Sequence, residues 1–443
     1  MLKVIAGSWA LLLGMMLLMV GNGLQGTLMG VRGAIEGFST FELSLITSAY
    51  FVGFLGGSRV TPNIIRRVGH VRVFAFLGSL ISAVLILYPV VTIPWAWIGL
   101  RVIIGFCLSG VYITAESWLN NATTNETRGQ TLSAYMIVQM MGVVAAQGIL
   151  TLGDPAGFVL FIIPSVLVSL SFAPILLSIQ PTPAFEATRS MGLMELYRAS
   201  PLGMVGMLLM GGVFAGQFGM ASVYATEAGL SVPQISLFIS AIFLGAMVLQ
   251  YPIGWLSDRI DRRLLILGVA GLGAAVSAVG AALGDVFWIL VGVAFFNGGL
   301  GQPLYALLIA YTNDYLEPED MAGASAGLIF VNGVGAIVGP LAIGWMLGAF
   351  GPPGFWMFMT VVMAAVSLYA AWRMTRRPSA YAAEEDYEAV SYAPVTPTAT
   401  PVAVEAAQEL YIETAEEMAA DAEAQEADLA GTGGPPGGGA PTP

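Results

Sequence analysis

The sequence predicts an all-α membrane protein, with twelve transmembrane helices in two pseudo-symmetric six-helix bundles and a disordered acidic C-terminal tail. Three observations predict it. The 443 residues are 57% hydrophobic and 10% charged, with a mean hydropathy of +0.80, whereas a water-soluble surface requires roughly 25% charged residues. Apolar runs of about 20 residues, the length that crosses ~30 Å of hydrocarbon, recur along the chain. The second half also repeats the first at an offset of 192 residues. Barrel strands would instead alternate apolar and polar over ~10 residues.

The runs cover 5–29, 41–61, 71–91, 94–118, 128–150 and 157–179, then 202–225, 234–256, 264–283, 286–312, 321–347 and 353–373. The first starts after Lys3 and continues to Met29 without a small-residue cleavage site closing a short core, so it reads as a membrane helix and not a signal peptide. It carries Asn22 and Gln25. Helix 2 ends at a basic loop with Arg66, Arg67 and the single histidine, His70. Helix 4 holds Arg101 about seven residues from its start, then Tyr112 and Glu116. A cation inside a span is costly, so Arg101 should face a cavity or a partner. Helix 5 adds Tyr135 and Gln139.

Residues 1–180 form the first bundle, and 181–201, with Pro181, Pro183, Glu186 and Arg198, read as a cytoplasmic linker. The second bundle spans 202–377. Its helix 7 carries Gln217, with Phe214, Phe218 and Tyr224 as a possible apolar wall, and helices 8, 10 and 11 add Gln250, Asn297, Gln302 and Asn332. Amides need partners in lipid, so all should point inward, as substrate contacts or as ties between helices. Beyond Pro378 the chain turns to Pro, Ala, Glu, Thr and Gly, too little apolar surface to offset ordering entropy. This tail, 378–443, holds 13 of the 28 acidic residues and none of the 16 basic ones, so the net charge of −12 belongs to it.

The basic residues set the orientation. With a cytoplasmic N-terminus, 14 of the 16 lie on the cytoplasmic side, Arg32 lies outside and Arg101 is in a helix. Both termini are therefore expected in the cytoplasm of a multi-pass inner (plasma) membrane protein. One cysteine, Cys107, and one histidine leave no Cys- or His-based metal site. No cofactor is expected. No Walker motif or basic patch points to a nucleotide or nucleic acid, and no nucleophile, base and metal constellation points to an enzyme.

At the offset of 192, Ala49-x-Phe51-x-Gly53 overlies Ala241-x-Phe243-x-Gly245, Arg67 overlies Arg259, Gly69 overlies Asp261 and Gln25 overlies Gln217. The loop after helix 8 reads Gly254-Trp-Leu-Ser-Asp258-Arg259-Ile-Asp261-Arg262-Arg263. It resembles the loop signature of the major facilitator superfamily, with Asp261 in place of the second glycine. The first copy is degenerate, with Pro62 and Arg66 where that glycine and aspartate pattern would place Gly and Asp. Arg101-x-x-x-Gly105 is similar to the start of the family's helix 4 motif. Gly335-x-x-x-Gly339-Pro340 resembles its antiporter motif, although it stands in helix 11 instead of helix 5. The run Ala115-Glu-Ser-Trp-Leu-Asn120, followed by Arg128-Gly129, resembles the YcaD-type branch.

The resemblance implies a secondary transporter whose two halves rock about a midplane site for a small organic solute. Expected substrate contacts are Asn22, Gln25, Arg101, Tyr112, Gln139, Gln217, Asn297, Gln302 and Asn332. Expected gating residues are Arg66, Arg67, Gly254, Asp258, Arg259, Arg262 and Arg263. Asp258 would latch onto the start of helix 5, and Arg66 or Arg67 onto the acidic turn Glu317 to Asp320. For the first the alternative is local pairing of Asp258 with Arg259 on the surface; for the second it is that Pro and acids ordinarily start a helix and Arg ordinarily marks the cytoplasmic side. Glu116 is the candidate for proton coupling, since no acid lies at the centre of a span. An uncoupled facilitator, and a non-transporting sensor that signals through the tail, remain open alternatives.

Overall fold

The computed structural model describes residues 2–121, 125–177, 191–376, 400 and 403–404, and every regular element among them is helical. The first half comprises α1 (Leu2–Ile35), α2 (Thr40–Val68), α3 (His70–Leu87), α4 (Pro94–Asn121), α5 (Asn125–Leu150) and α6 (Val159–Leu177). The second comprises α7 (Leu193–Ala199), α8 (Pro201–Ala215), α9 (Ala221–Glu227), α10 (Val232–Ser257), α11 (Arg262–Leu283), α12 (Phe287–Asn313), α13 (Pro318–Phe350) and α14 (Pro353–Met374). A π-helical turn, Gly216–Met220, joins α8 and α9 into one span.

Against the twelve spans expected, eleven helices among the described residues are long and apolar enough to cross a membrane; α6 contributes a shorter apolar stretch, Val159–Pro174. Helices outrun the apolar runs. α2 continues to Val68, so Arg66 and Arg67 occupy its last turn and not a loop. The expected linker is partly helical: residues 181–190 lie outside the described residues, α7 follows, and Ser200 caps α8 by accepting the Gly203 N–H at 3.3 Å.

The repeat is written most clearly in the turns. Gly37 and Gly229 are equivalent at the offset of 192, and both adopt left-handed φ values, +80° and +72°. Each is followed by a capping box, Ser39 with Glu42 and Ser231 with Gln234, in which side chain and backbone N–H satisfy each other. Gly69 and Asp261 are likewise equivalent, and both are N-caps. Gly69 makes its turn with φ +87°, which a side chain would strain. Asp261 keeps φ at −53° and caps with its carboxylate, accepting the Arg263 N–H at 2.9 Å. The departure from glycine therefore replaces one capping device with another.

Next in each copy stand His70 and Arg262. His70 is not in a loop, as the sequence suggested; it opens α3, is buried, and lies 3.0 Å from Ser117 Oγ at the end of α4. Arg262 ties α11 to α12 in the same way, through an ion pair with Asp314 and a 3.1 Å bond to Ser257 Oγ.

Small residues set the packing within each half. A Cβ on Gly53 would overlap the Val102 carbonyl of α4, and one on the equivalent Gly245 would overlap the Phe295 carbonyl of α12. Backbone lies on backbone at both places, the closest packing available to helices in lipid. Between the halves, α1 meets α9, α2 meets α13 and α5 meets α10. Short connections make successive spans antiparallel. One end of the bundle therefore carries the α2–α3 and α10–α11 turns with their arginines, and the other carries the turns after α1 and α9.

The tail expected to be disordered lies outside the described residues, except for three positions. Thr400, Ala403 and Val404 are buried, which corrects the expectation for those three.

Candidate functional site

The halves close on each other at the end away from the arginines. Gly30 of α1 abuts its own repeat equivalent, Ser222, and Gly26 abuts Phe218 with 3.7 Å between an added Cβ and the Phe218 carbonyl. Equivalent residues touching in this way mark the pseudo-two-fold axis. Ser44 and Ser236, also equivalents, both cross: Ser44 packs on Gly344 of α13, and Ser236 donates to the Gln147 carbonyl of α5 at 2.5 Å. Ser48 donates to the Ile337 carbonyl at 2.7 Å.

Below this closure the first half presents a buried polar cluster. Arg101 is 1% exposed and its Nη1 donates to Gln25 Oε1 at 2.8 Å. Its guanidinium lies 5.1 Å from the Tyr50 ring centre, within cation–π range. The remaining valences are open: Arg101 Nε, Gln25 Nε2, the Tyr50 hydroxyl and both amide atoms of Asn22 are buried without a hydrogen-bond partner. Asn22 sits within electrostatic reach of the Tyr50 and Tyr112 hydroxyls, yet neither amide atom reaches hydrogen-bond geometry. Each such group costs about 1–3 kcal/mol when buried unmet. Concentrated on one wall, they are what a polar ligand would satisfy. The Tyr112 hydroxyl points elsewhere, to Met19 Sδ at 3.1 Å.

The facing wall is aromatic. Phe218 lies 5.8 Å from Tyr50 and Phe214 lies 6.0 Å from Phe51, measured between ring centres, while within the first half Phe54 of α2 lies 6.0 Å from Tyr112 of α4. Below them a small cavity of about 30 Å³ lies between α2 and α13, lined by Tyr50, Phe54, Phe214, Asn332 and Thr400 among others.

Gln217, the repeat partner of Gln25, is used differently. It falls in the π-helical turn and its Nε2 donates to Asn297 Oδ1 at 2.8 Å and to the Asn297 carbonyl at 3.1 Å. Asn297 passes the chain on to Ser277 Oγ at 2.9 Å. This pair ties α8/α9 to α12 and α11, leaving Gln217 Oε1 without a partner. Asn332 donates to the Met207 carbonyl at 3.0 Å, a tie between α13 and α8, while lining the cavity. Gln302 is buried with both amide atoms unmet, as is the Tyr305 hydroxyl one turn on. Gln139 is buried in α5.

Glu116 is buried, not solvated, and its Oε1 accepts from the Tyr135 hydroxyl at 3.2 Å. Its Oε2 accepts from the Thr400 N–H at 3.0 Å and from the Thr400 hydroxyl. Fifteen positions of α4 separate it from Arg101, roughly 22 Å at 1.5 Å per residue. The two do not form one site.

At the arginine-rich end, Arg262 is buried between Asp314 and Asp258, the latter at 3.6 Å. Arg263 pairs with Asp261 at 2.8 Å, and Arg259 stacks on Trp255 at 4.1 Å. Gly254, Asp258 and Arg259 line a cleft of about 380 Å³ whose other wall is Ser133, Met136 and Met140 of α5. The loop thus faces α5, slightly further along than Thr127 to Thr131. Arg66 donates to Asn63 of its own helix at 2.5 Å, and Arg67 is exposed. A further cross-half contact at this end, not evident in the sequence, sets Arg59 over the Phe330 ring of α13 at 4.3 Å. Tyr50 was also missed. Aromatics in membrane spans are usually packing, and only its place one turn from Gly53 on the α4-facing helix hinted at more.

A sequence profile described as Major Facilitator Superfamily matches residues 11–231 and again 202–410. The "Uncharacterized MFS-type transporter YcaD" of Salmonella arizonae is 26% identical over 338 residues, covering 74% of this chain and 86% of the relative. Among solved structures, the nucleoside transporter NupG superposes with a TM-score of 0.69 at 12% identity, over 82% of this chain and 99% of that one. A bacterial homolog of the human lysosomal transporter Spinster, in an inward-facing and unoccupied conformation, gives 0.62 at 16% identity, over 92% and 94%.

Proposed function

The chain belongs to the Major Facilitator Superfamily, a family of membrane transporters, and from that premise we propose that it is a secondary transporter moving a small organic solute by alternating access. The observation that carries the reading is the buried cluster of Asn22, Gln25, Tyr50 and Arg101, whose unmet donors and acceptors face a second half that packs against the first at the Gly30–Ser222 end. A fixed guanidinium with a free Nε, beside two amides and a phenol, suits a polar or amphipathic solute bearing an anionic or carbonyl acceptor. Phe214 and Phe218 would cover its apolar face.

The arginine-rich end is the cytoplasmic one on the basic-residue count, with both termini on that side of an inner membrane. The state described is then closed outside and inward-directed. Rocking the halves would open the Gly30–Ser222 closure and shut the Asp258 loop against α5. Glu116 is the group for proton coupling: it is buried, carboxylate-bearing and bonded to a phenol.

The test is uptake of pooled metabolites into proteoliposomes holding the purified protein. Arg101→Ala should abolish uptake of the transported solute while the protein stays folded. If Arg101→Ala transports at the wild-type rate, the cluster is not the site. Repeating uptake with Glu116→Gln, with and without a pH gradient, separates a proton-coupled carrier from an uncoupled facilitator. Wild-type uptake indifferent to the gradient would sink the coupling role. Removal of residues 378–443 should not abolish transport, whereas a sensor would lose its output.

A further inference from the structure

Thr400 stands 24 positions beyond Arg376, the last residue described after α14. A chain of that length spans up to roughly 80 Å, ample to return to the first half. Thr400 makes that return. Its N–H and hydroxyl both donate to Glu116 Oε2, the oxygen that Tyr135 does not use. It also lines the cavity between α2 and α13. Ala403 and Val404 close a turn on the Thr400 carbonyl, with N–H···O distances of 3.1 and 3.3 Å, and are 5% and 1% exposed. A polar residue satisfies a buried carboxylate, and two apolar residues follow it under cover.

We infer that the space below the substrate cluster is a binding site for this chain's own C-terminal segment, with Glu116 as its acceptor, and that the seated segment holds back transport. The proposal rests on the transport reading for its consequence but not for its geometry. A segment wedged between the halves blocks the solute's route through the arginine-rich end, and it must leave before the halves can shut there. The site recognises an adjacent N–H and O–H donor pair from one residue, followed by small apolar side chains.

The test uses the full chain in proteoliposomes, with Cys107 replaced by Ala and a single Ala403→Cys introduced. Maleimide labelling of the folded protein should be at least about tenfold slower than of the same protein unfolded in detergent, because the thiol reacts only when the segment leaves. Adding Thr400→Val should raise the labelling rate severalfold, with no risk to the helical fold. Deleting residues 378–443 should raise the initial transport rate severalfold, and a synthetic peptide of residues 398–406 should lower it again. Labelling at the unfolded rate overturns the site. Protected labelling with transport unchanged or lowered by the deletion overturns the restraint. Protected labelling with no solute moved by either form refutes the transport reading and leaves the binding site standing.

Discussion

Gly30→Ala should open the molecule at one end without unfolding it. The added Cβ would lie 2.8 Å from the Val223 nitrogen and 2.9 Å from the Ser222 carbonyl carbon, whereas ordinary contact begins at 3.4 Å. Helices α1 and α9 must part by about half an ångström or more, and overpacking of this kind costs about 1–3 kcal/mol. The cost falls only on the state in which these helices touch. The ratio of that state to its alternative should drop about 5- to 150-fold. A reporter is Ser44→Cys with Cys107 replaced, because Ser44 is buried against Gly344 in the closed state. An impermeant maleimide should label it faster once Gly30→Ala is present. Gly53→Ala is the control: its clash with the Val102 carbonyl lies within the first half and persists in every state. It should lower the melting temperature without speeding the label. If Gly30→Ala labels at the parental rate, the glycine contact does not hold this end shut.

Three further outcomes follow from the same geometry. Tyr50→Phe should leave thermal stability within about 0.5 kcal/mol, since its hydroxyl has no protein partner to lose, but should raise KM severalfold; a fall in melting temperature without a change in KM would show that the hydroxyl serves the fold. Gln217→Ala should cost about 1–3 kcal/mol of stability by orphaning the Asn297 acceptors, while Gln25→Ala should act mainly on transport; thermal melts beside uptake assays separate the two, and equal melts would refute the contrast. Arg262→Ala should destabilise by about 3–5 kcal/mol because it breaks a buried ion pair and takes the guanidinium away from the Asp314 carboxylate. The apolar pair Arg262→Met with Asp314→Leu should recover much of the loss, and a double variant melting no higher than the single one would argue against the buried pair.

The spans were legible because hydrocarbon admits few alternatives, and the need of amides for partners in lipid pointed the polar residues inward. Equivalence between the halves was also legible, and more of it than was read: Gly37-x-Ser-x-x-Glu42 and Gly229-x-Ser-x-x-Gln234 are the same turn and cap written twice. What sequence could not assign was the partner of each amide. Gln25 and Gln217 occupy equivalent positions, yet one accepts from Arg101 and the other donates to Asn297, because the residues opposite them in the two copies differ. Helix ends were misjudged for a plain reason. Polar residues at the lipid boundary end an apolar run but not a helix, so Arg66, Arg67 and His70 were assigned to a loop they do not occupy. The burial of Thr400 had no local signal at all, since its partner lies 284 positions away.

The wider turn at Gly216–Met220 has a consequence for tolerance to length change. A turn of this type carries a surplus residue, so α9 leaves it about 100° out of phase with a straight continuation of α8. That rotation aims Ser222 at Gly30 and stacks Tyr224 on Phe355 at 4.9 Å. Excising a single residue there would swing both side chains to another face of the rod while leaving the hydrophobic length almost unaltered. This span should tolerate almost no deletions at that level.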